Sequence, residues 1–437
     1  MKRIAERSNS GTQIGLLRPL LGCILLIACL ASCKKDSVNN PADPIVSPTT
    51  GTRTQFTLDS IFLYAKQMYL WNDILPSYAS FDPRSRYAGY SSDLSAFQME
   101  LFDIAQLKID PLTQLPYENP VLSGKAKYSY LESGTVAAGG SVAAIVSTSA
   151  ETNPVLATAV FRTGNLDVAY IALSSFPALS ASQAGLDAAF SSFTSAGLTD
   201  LIIDLRSNGG GYVETASYVA DLVIPPAFNG QVAYKEQFNS QMQSGNATIL
   251  RHQPYLDGNG NTVTYQGRPA TMADVDYSIS ANTYTFSKKG SLQGIKNVYF
   301  IVSGRTASAS ELLINCLKPY LNVRLIGSAT YGKPVGFIGI TIDQYAVYMS
   351  NFLITNASGS ADYFSGMPVD IAVTPDGLHE LGDPEETCLK VALDYIKTGK
   401  IPASGTITVN GLKSAVLATK SAAKAPVMIE HRFKLKK

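Results

Sequence analysis

The chain has 437 residues, with 35 Lys and Arg against 34 Asp and Glu. Charge this balanced supplies no whole-molecule drive toward nucleic acid or an anionic membrane surface. Hydrophobic residues make up 46% and charged residues 16%, which excludes a wholly disordered chain and leaves enough apolar mass for two or three domains. Only three histidines are present, His252, His379 and His431. A multi-histidine metal site is therefore disfavoured, and a Ser-His-Asp triad has only these three to draw on.

Lys2, Arg3, Arg7 and Arg18 precede an apolar run from Leu20 to Leu30. That run is long enough for the apolar region of a signal peptide and too short to cross a bilayer as a helix. It ends in Ala31-Ser32-Cys33, where small residues before a cysteine resemble the bacterial lipobox. The pattern predicts a signal peptide over residues 1–32 and a lipid-anchored Cys33, with the protein held at the cell envelope on the outer-membrane, periplasmic or surface side. Cys316 and Cys388 then remain in the folded part, either as one disulfide or as two buried thiols.

Residues 33–53 are rich in Ser, Thr, Pro and Asn and read as a flexible tether. Leu58, Ile61, Phe62, Ala65, Met68 and Tyr69 then recur at helical steps, with Thr57 as the expected cap. Leu94, Phe97, Leu101 and Ile104 repeat the pattern, so a helical N-terminal domain is expected over residues 54–110. Residues 111–160 form a connecting region with short apolar runs such as Val142–Val146, read as strand.

From residue 161 to 400 strands and helices alternate, which points to an α/β core. Expected strands are Asp167–Leu173, Asp200–Leu205, Asn297–Val302, Val323–Gly327 and Val335–Ile342; expected helices are Gln183–Ala196, Val213–Val223 and Ser308–Tyr320. Residues 229–295 read as a strand-and-loop insertion, and the tail 401–437 carries no clear pattern.

Three segments have the composition for chemistry. Asp204-Leu205-Arg206-Ser207-Asn208-Gly209-Gly210-Gly211 follows a buried strand, and its glycines allow close approach of a ligand to backbone N–H groups. Ser308 opens a helix where unpaired N–H groups favour developing negative charge, although Ser308-x-x-Glu311 also satisfies a capping box. Gly327–Lys333 matches G-x-x-x-x-G-K, but Pro334 follows where a phosphate loop needs Ser or Thr. Lys333 instead ends a turn among apolar neighbours, where desolvation lowers its pKa and equips it as a general base.

The blocks Asp204–Gly211, Thr306–Glu311 and Thr330–Lys333, in this order, resemble the C-terminal processing (tail-specific) serine peptidase family. The 25 positions between Ser308 and Lys333 (333 − 308) agree with that family's spacing. Gly366–Asp370 and Leu381–Ile396 are similar to its closing strand and last helix, and the helical segment to the N-terminal region of Bacteroidetes-type lipoprotein members. The resemblance implies a crotonase/ClpP-like α/β core, protein or peptide substrates, and no cofactor or metal. It implies Ser308 as nucleophile, Lys333 as base, and an oxyanion hole from the N–H of Ala309 with that of Gly210 or Gly211. Where several members place a lysine-orienting Gln, this chain has Phe337, leaving Thr330 or Glu311 as possible orienters. Residues 111–160 are too few for the PDZ domain that members commonly carry. The competing expectation is a non-catalytic ligand-binding lipoprotein on the same fold.

Overall fold

The computed structural model describes residues 48–120, 122–136, 153–163, 166–193, 197–257, 260–401, 427–429 and 432–437. The signal peptide, Cys33, most of the tether and the Val142–Val146 run lie outside these residues.

One sheet has six strands in the order Ile371–Ala372, Asn322–Gly327, Asn297–Val302, Asp200–Asp204, Leu166–Leu173 and Val155–Thr163. Its first five strands are parallel and the last pairs antiparallel. Every residue of the central Asp200–Asp204 strand is buried, as its continuous apolar run requires. Alternation in the neighbouring strand sorts side chains between two cores. Ala169, Ile171 and Leu173 join the larger one, while Val168, Tyr170 and Ala172 pack with the Thr387–Thr398 helix.

A second, mixed sheet runs Gly210–Tyr212, Val427–Ile429, Val335–Ile342, Tyr345–Asn356, Val232–Phe238 and Thr283–Thr285. Tyr130–Ser133, from the connecting region, adds antiparallel to Tyr345–Asn356. The tail therefore contributes a strand whose residues Val427–Ile429 pair with the glycine block.

Helices Arg53–Met68 and Asp93–Ala105 bury Phe62, Met68, Phe97 and Ile104 in the larger core, alongside Ile338 and Val347 of the mixed sheet. Thr52, not Thr57, caps the first of them. Its side chain accepts from Gln55 N–H while Gln55 returns to Thr52 N–H, and Thr57 sits inside, donating to Arg53 O. Three further boundaries move. The helix expected at Gln183–Ala196 is Leu179–Ser191, that expected at Ser308–Tyr320 is Ala309–Leu317, and the last runs Thr387–Thr398 before Gly399 at φ 65°. The closing strand is Ile371–Ala372, just after Gly366–Asp370. Cys316 and Cys388 are buried free thiols, not a disulfide.

Candidate active site

The Asp204–Gly211 block leaves the central strand and divides its labour. Arg206 binds both Asp204 oxygens and reaches Glu386 at 2.6 and 2.8 Å, and Glu386 in turn caps the last helix through Leu389 N–H. These residues are structural. Asn208, fully buried, faces the other way in its bonding. Its carbonyl accepts from Ala307 N–H at 3.2 Å and from the Ser310 hydroxyl at 3.1 Å, the residues before and two after Ser308. Thr306 hydroxyl donates to Leu205 O, tying the same two segments again.

Ser308 stands immediately before the Ala309–Leu317 helix with φ 64° and ψ −118°. A non-glycine residue in that region is strained, and such strain persists where surrounding contacts over-determine the backbone. Ser308 and Glu311 are in capping-box register, and the half that closes as a hydrogen bond is Glu311's: its Oε2 accepts from Ser308 N–H at 2.9 Å. Ser308 Oγ is buried and makes no hydrogen bond. The serine is thus held by its backbone and its hydroxyl is left available. Ala309, the first helical residue, presents an N–H that by position has no partner within the helix.

Glu311 also organises the second turn. The Oε2 that takes Ser308 N–H takes Lys333 N–H at 2.8 Å, while Oε1 takes Gly332 N–H at 2.7 Å and the Thr330 hydroxyl. Ser308 and Lys333 therefore share one oxygen atom, and their backbone nitrogens can be no farther apart than those two bonds laid end to end. Thr330 and Glu311, the possible orienters, hold the backbone of the lysine turn. Gly332 at φ 86° lies so close to Tyr363, Phe364 and Gly366 backbone that a Cβ would sit 2.3 Å from Gly366 N.

Lys333 is 1% exposed, and its ammonium lies 4.1 Å from the centroid of the Phe337 ring. Burial pushes its pKa down from 10.5 to about 7, against the opposing charges of Glu118 and Glu311. Burial likewise holds Glu311 and Glu118 above the ordinary carboxylate range, offset by their hydrogen-bond donors. Glu118, which sequence patterns did not single out, accepts from Ser129 N–H and the hydroxyls of Ser129, Ser350 and Tyr69. The next residue back, Tyr128, donates its hydroxyl to Gly332 O, and Lys127 donates to Phe364 O at 2.6 Å. Residues of the connecting region thereby cover the lysine turn.

Gly211 at φ 139° abuts Phe176, whose carbonyl oxygen would lie 2.1 Å from a Cβ there. Gly210 N–H donates to Asn208 Oδ1 at 2.9 Å, so this candidate oxyanion donor is already engaged. The Asn208 Nδ2, buried beside it, has no partner. No group of His, Cys, Asp and Glu among the described residues could hold a metal ion.

A strained serine at a helix start, a desolvated lysine and a glycine-rich turn meet within the stretch that matches peptidase family S41, residues 167–373. That stretch is just under half of the chain, and what it is similar to is an S41 peptidase domain. Among solved structures, the chain is similar to a putative S41 protease from Bacteroides fragilis, at 22% identity and a TM-score of 0.41. That match covers 56% of this chain and 58% of the Bacteroides one. A putative peptidase from Parabacteroides merdae matches at 15% identity over 81% of this chain and all of its own, with a TM-score of 0.47. The photosystem II D1 C-terminal processing protease matches at 15% identity over 75% and 95%, with a TM-score of 0.42. No curated protein matches the chain significantly.

Proposed function

We propose that the protein is a serine endopeptidase in which Ser308 and Lys333 form the catalytic dyad. Ser308 Oγ attacks the peptide carbonyl, the neutral amine of Lys333 takes its proton, and the same amine then delivers that proton to the leaving amine and activates water. The observation that carries the reading is the Glu311 carboxylate, which takes Ser308 N–H and Lys333 N–H on one oxygen and so ties the two turns together. A lysine pKa near 7 supports it, since about half the amines would then be unprotonated at neutral pH. Both side chains are covered and Ser308 Oγ has no partner, so substrate entry has to displace part of the cover and bring Oγ to Nζ.

The S41 domain acts at the cell envelope, anchored through acylated Cys33 as the Ala31-Ser32-Cys33 pattern suggests. Cys33→Ala is expected to move the protein from the membrane fraction to the soluble one; continued membrane retention counts against the anchor.

The competing reading is a ligand-binding protein without turnover. What favours it is the occluded serine together with Phe337 where a hydrogen-bonding lysine partner would stand. Digests of unfolded proteins, followed by mass spectrometry, decide between them. Ser308→Ala and Lys333→Ala should each lower cleavage at least about a thousandfold while the folded state persists. Cleavage surviving either substitution sinks the dyad, and its absence in the unaltered protein sinks the peptidase.

A further inference from the structure

Among the described residues, two of the buried polar atoms without a hydrogen-bond partner belong to the adjoining turns of the site. One is Ser308 Oγ; the other is Asn208 Nδ2. Leaving a buried amide donor unpaired costs about 1–3 kcal/mol, so a fold that keeps one calls for an explanation. Asn208 cannot relax away, because its other polar atoms are committed. Its carbonyl holds Ala307 N–H and the Ser310 hydroxyl, on either side of the nucleophile, and its Oδ1 holds Gly210 N–H. The bond to Gly210 N–H also settles the amide's orientation, with oxygen toward the glycine and the NH2 on the other side. That bond has a second consequence: of the two glycine N–H groups expected to stabilise an oxyanion, that of Gly210 is occupied by the very residue whose own donor is idle.

We propose that the Asn208 side-chain amide is an oxyanion donor of this peptidase, acting with the Ala309 N–H in the place expected for Gly210. When Ser308 Oγ bonds to the scissile carbonyl carbon, the carbon–oxygen π pair moves onto oxygen and the hydroxyl proton passes to Lys333 Nζ. Asn208 Nδ2–H then donates to the negative oxygen. As the tetrahedral centre collapses, the carbon–nitrogen bond breaks, the leaving amine takes the proton from Lys333, and the oxygen returns to a carbonyl. A buried, positionally fixed donor counts most when charge develops on its acceptor, so Asn208 should favour the intermediate over the bound substrate.

The inference rests on the peptidase reading, and one comparison separates their failures. In the full chain, the affinity of a peptide aldehyde, which adds to a serine to give a tetrahedral oxyanion, is measured against that of the matching peptide alcohol. The aldehyde should bind at least about a hundredfold more tightly in the unaltered protein. Asn208→Asp keeps an oxygen for Gly210 N–H and removes the donor. It should collapse that ratio toward one and lower kcat by about a hundred- to a thousandfold, with KM within about threefold. Asn208→Ala frees Gly210 N–H to serve instead and should lose less of both than Asn208→Asp does. If either variant remains folded by thermal melt yet keeps the wild-type ratio, the assignment of Asn208 is overturned and the dyad stands. A ratio near one in the unaltered protein overturns both. A loss seen in KM alone reveals a structural residue and also overturns the assignment.

Discussion

Two buried charged clusters flank the Asp204–Gly211 turn, and they treat charge in opposite ways. In the Asp204–Arg206–Glu386 cluster every charge meets its opposite at 2.6–3.0 Å. There Arg206 is pushed above its ordinary value by its two carboxylates, against burial, and Glu386 is held below the usual range by Arg206 and backbone N–H groups despite burial. Both ionised forms are favoured, which suits a clasp between the core and the last helix. Around Ser308 the directions reverse: burial lowers Lys333 and raises Glu311. A group kept near the point of changing charge is poor cement and a good acid or base. The same short block thus holds the clasp at its Asp-Leu-Arg end and, at its Asn-Gly-Gly end, packs against the segment that carries Ser308.

The contrast can be broken at either cluster. Arg206→Met leaves two carboxylates buried without their cation and should cost about 3–5 kcal/mol of stability, read by denaturant unfolding. The remaining folded molecules should keep their specific activity; a matching loss of activity in fully folded protein would erase the division between clasp and site. Glu311→Gln presents an NH2 to a pocket lined by four donors and should cost about 1–3 kcal/mol. It should also cut kcat more deeply than any change at the clasp, because both dyad turns lose their shared anchor.

The lysine sets the pH behaviour. Only its neutral form accepts a proton, so kcat/KM should rise as pH climbs through about 7 and level off above. A profile flat from pH 5 to 9 would remove Lys333 from the mechanism. The stability sign follows from the same shift. From about pH 7 to 10.5 the unfolded lysine holds more proton than the folded one, so this group's contribution to stability grows with pH across that window. Lys333→Met, relieved of a buried ammonium, should therefore be more stable at pH 6 by about 0.5–2 kcal/mol and inactive. The smallest effect is expected of Phe337→Gln. An amide oxygen in reach of the ammonium favours its charged form, so the activity limb should shift to higher pH.

Much of this arrangement is legible in the residues. Ser308, Glu311 and Lys333 lie in short segments whose order and spacing point to the family, and the helix Val213–Val223 and strands Asn297–Val302 and Val335–Ile342 fall where their patterns put them. The cap at Thr52 is also legible, since Thr52-x-x-Gln55 has the reciprocal pattern, but Thr57 stands closer to the apolar repeat and is the stronger local signal. Glu118 was not legible. Its partners include Ser350, 232 positions away, and residues near it show no periodicity that would announce a buried carboxylate.

Local rules therefore point to a kind of chemistry and to the segments that would carry it. Alternation assigns strand faces, a helix-opening serine and an apolar-flanked lysine suit a nucleophile and its base, and glycines mark where backbone can approach backbone. Which donor meets which acceptor was decided only in three dimensions. The linear order offers Gly210 and Gly211 as donors and does not mark Asn208, and it is the packing of Asn208 against residues 307 and 310, about a hundred positions on, that engages the Gly210 N–H and leaves the Asn208 amide without a partner. Hydrogen-bond allocation inside a core depends on every neighbour competing for the same atoms, and those neighbours come from segments that the linear order keeps far apart.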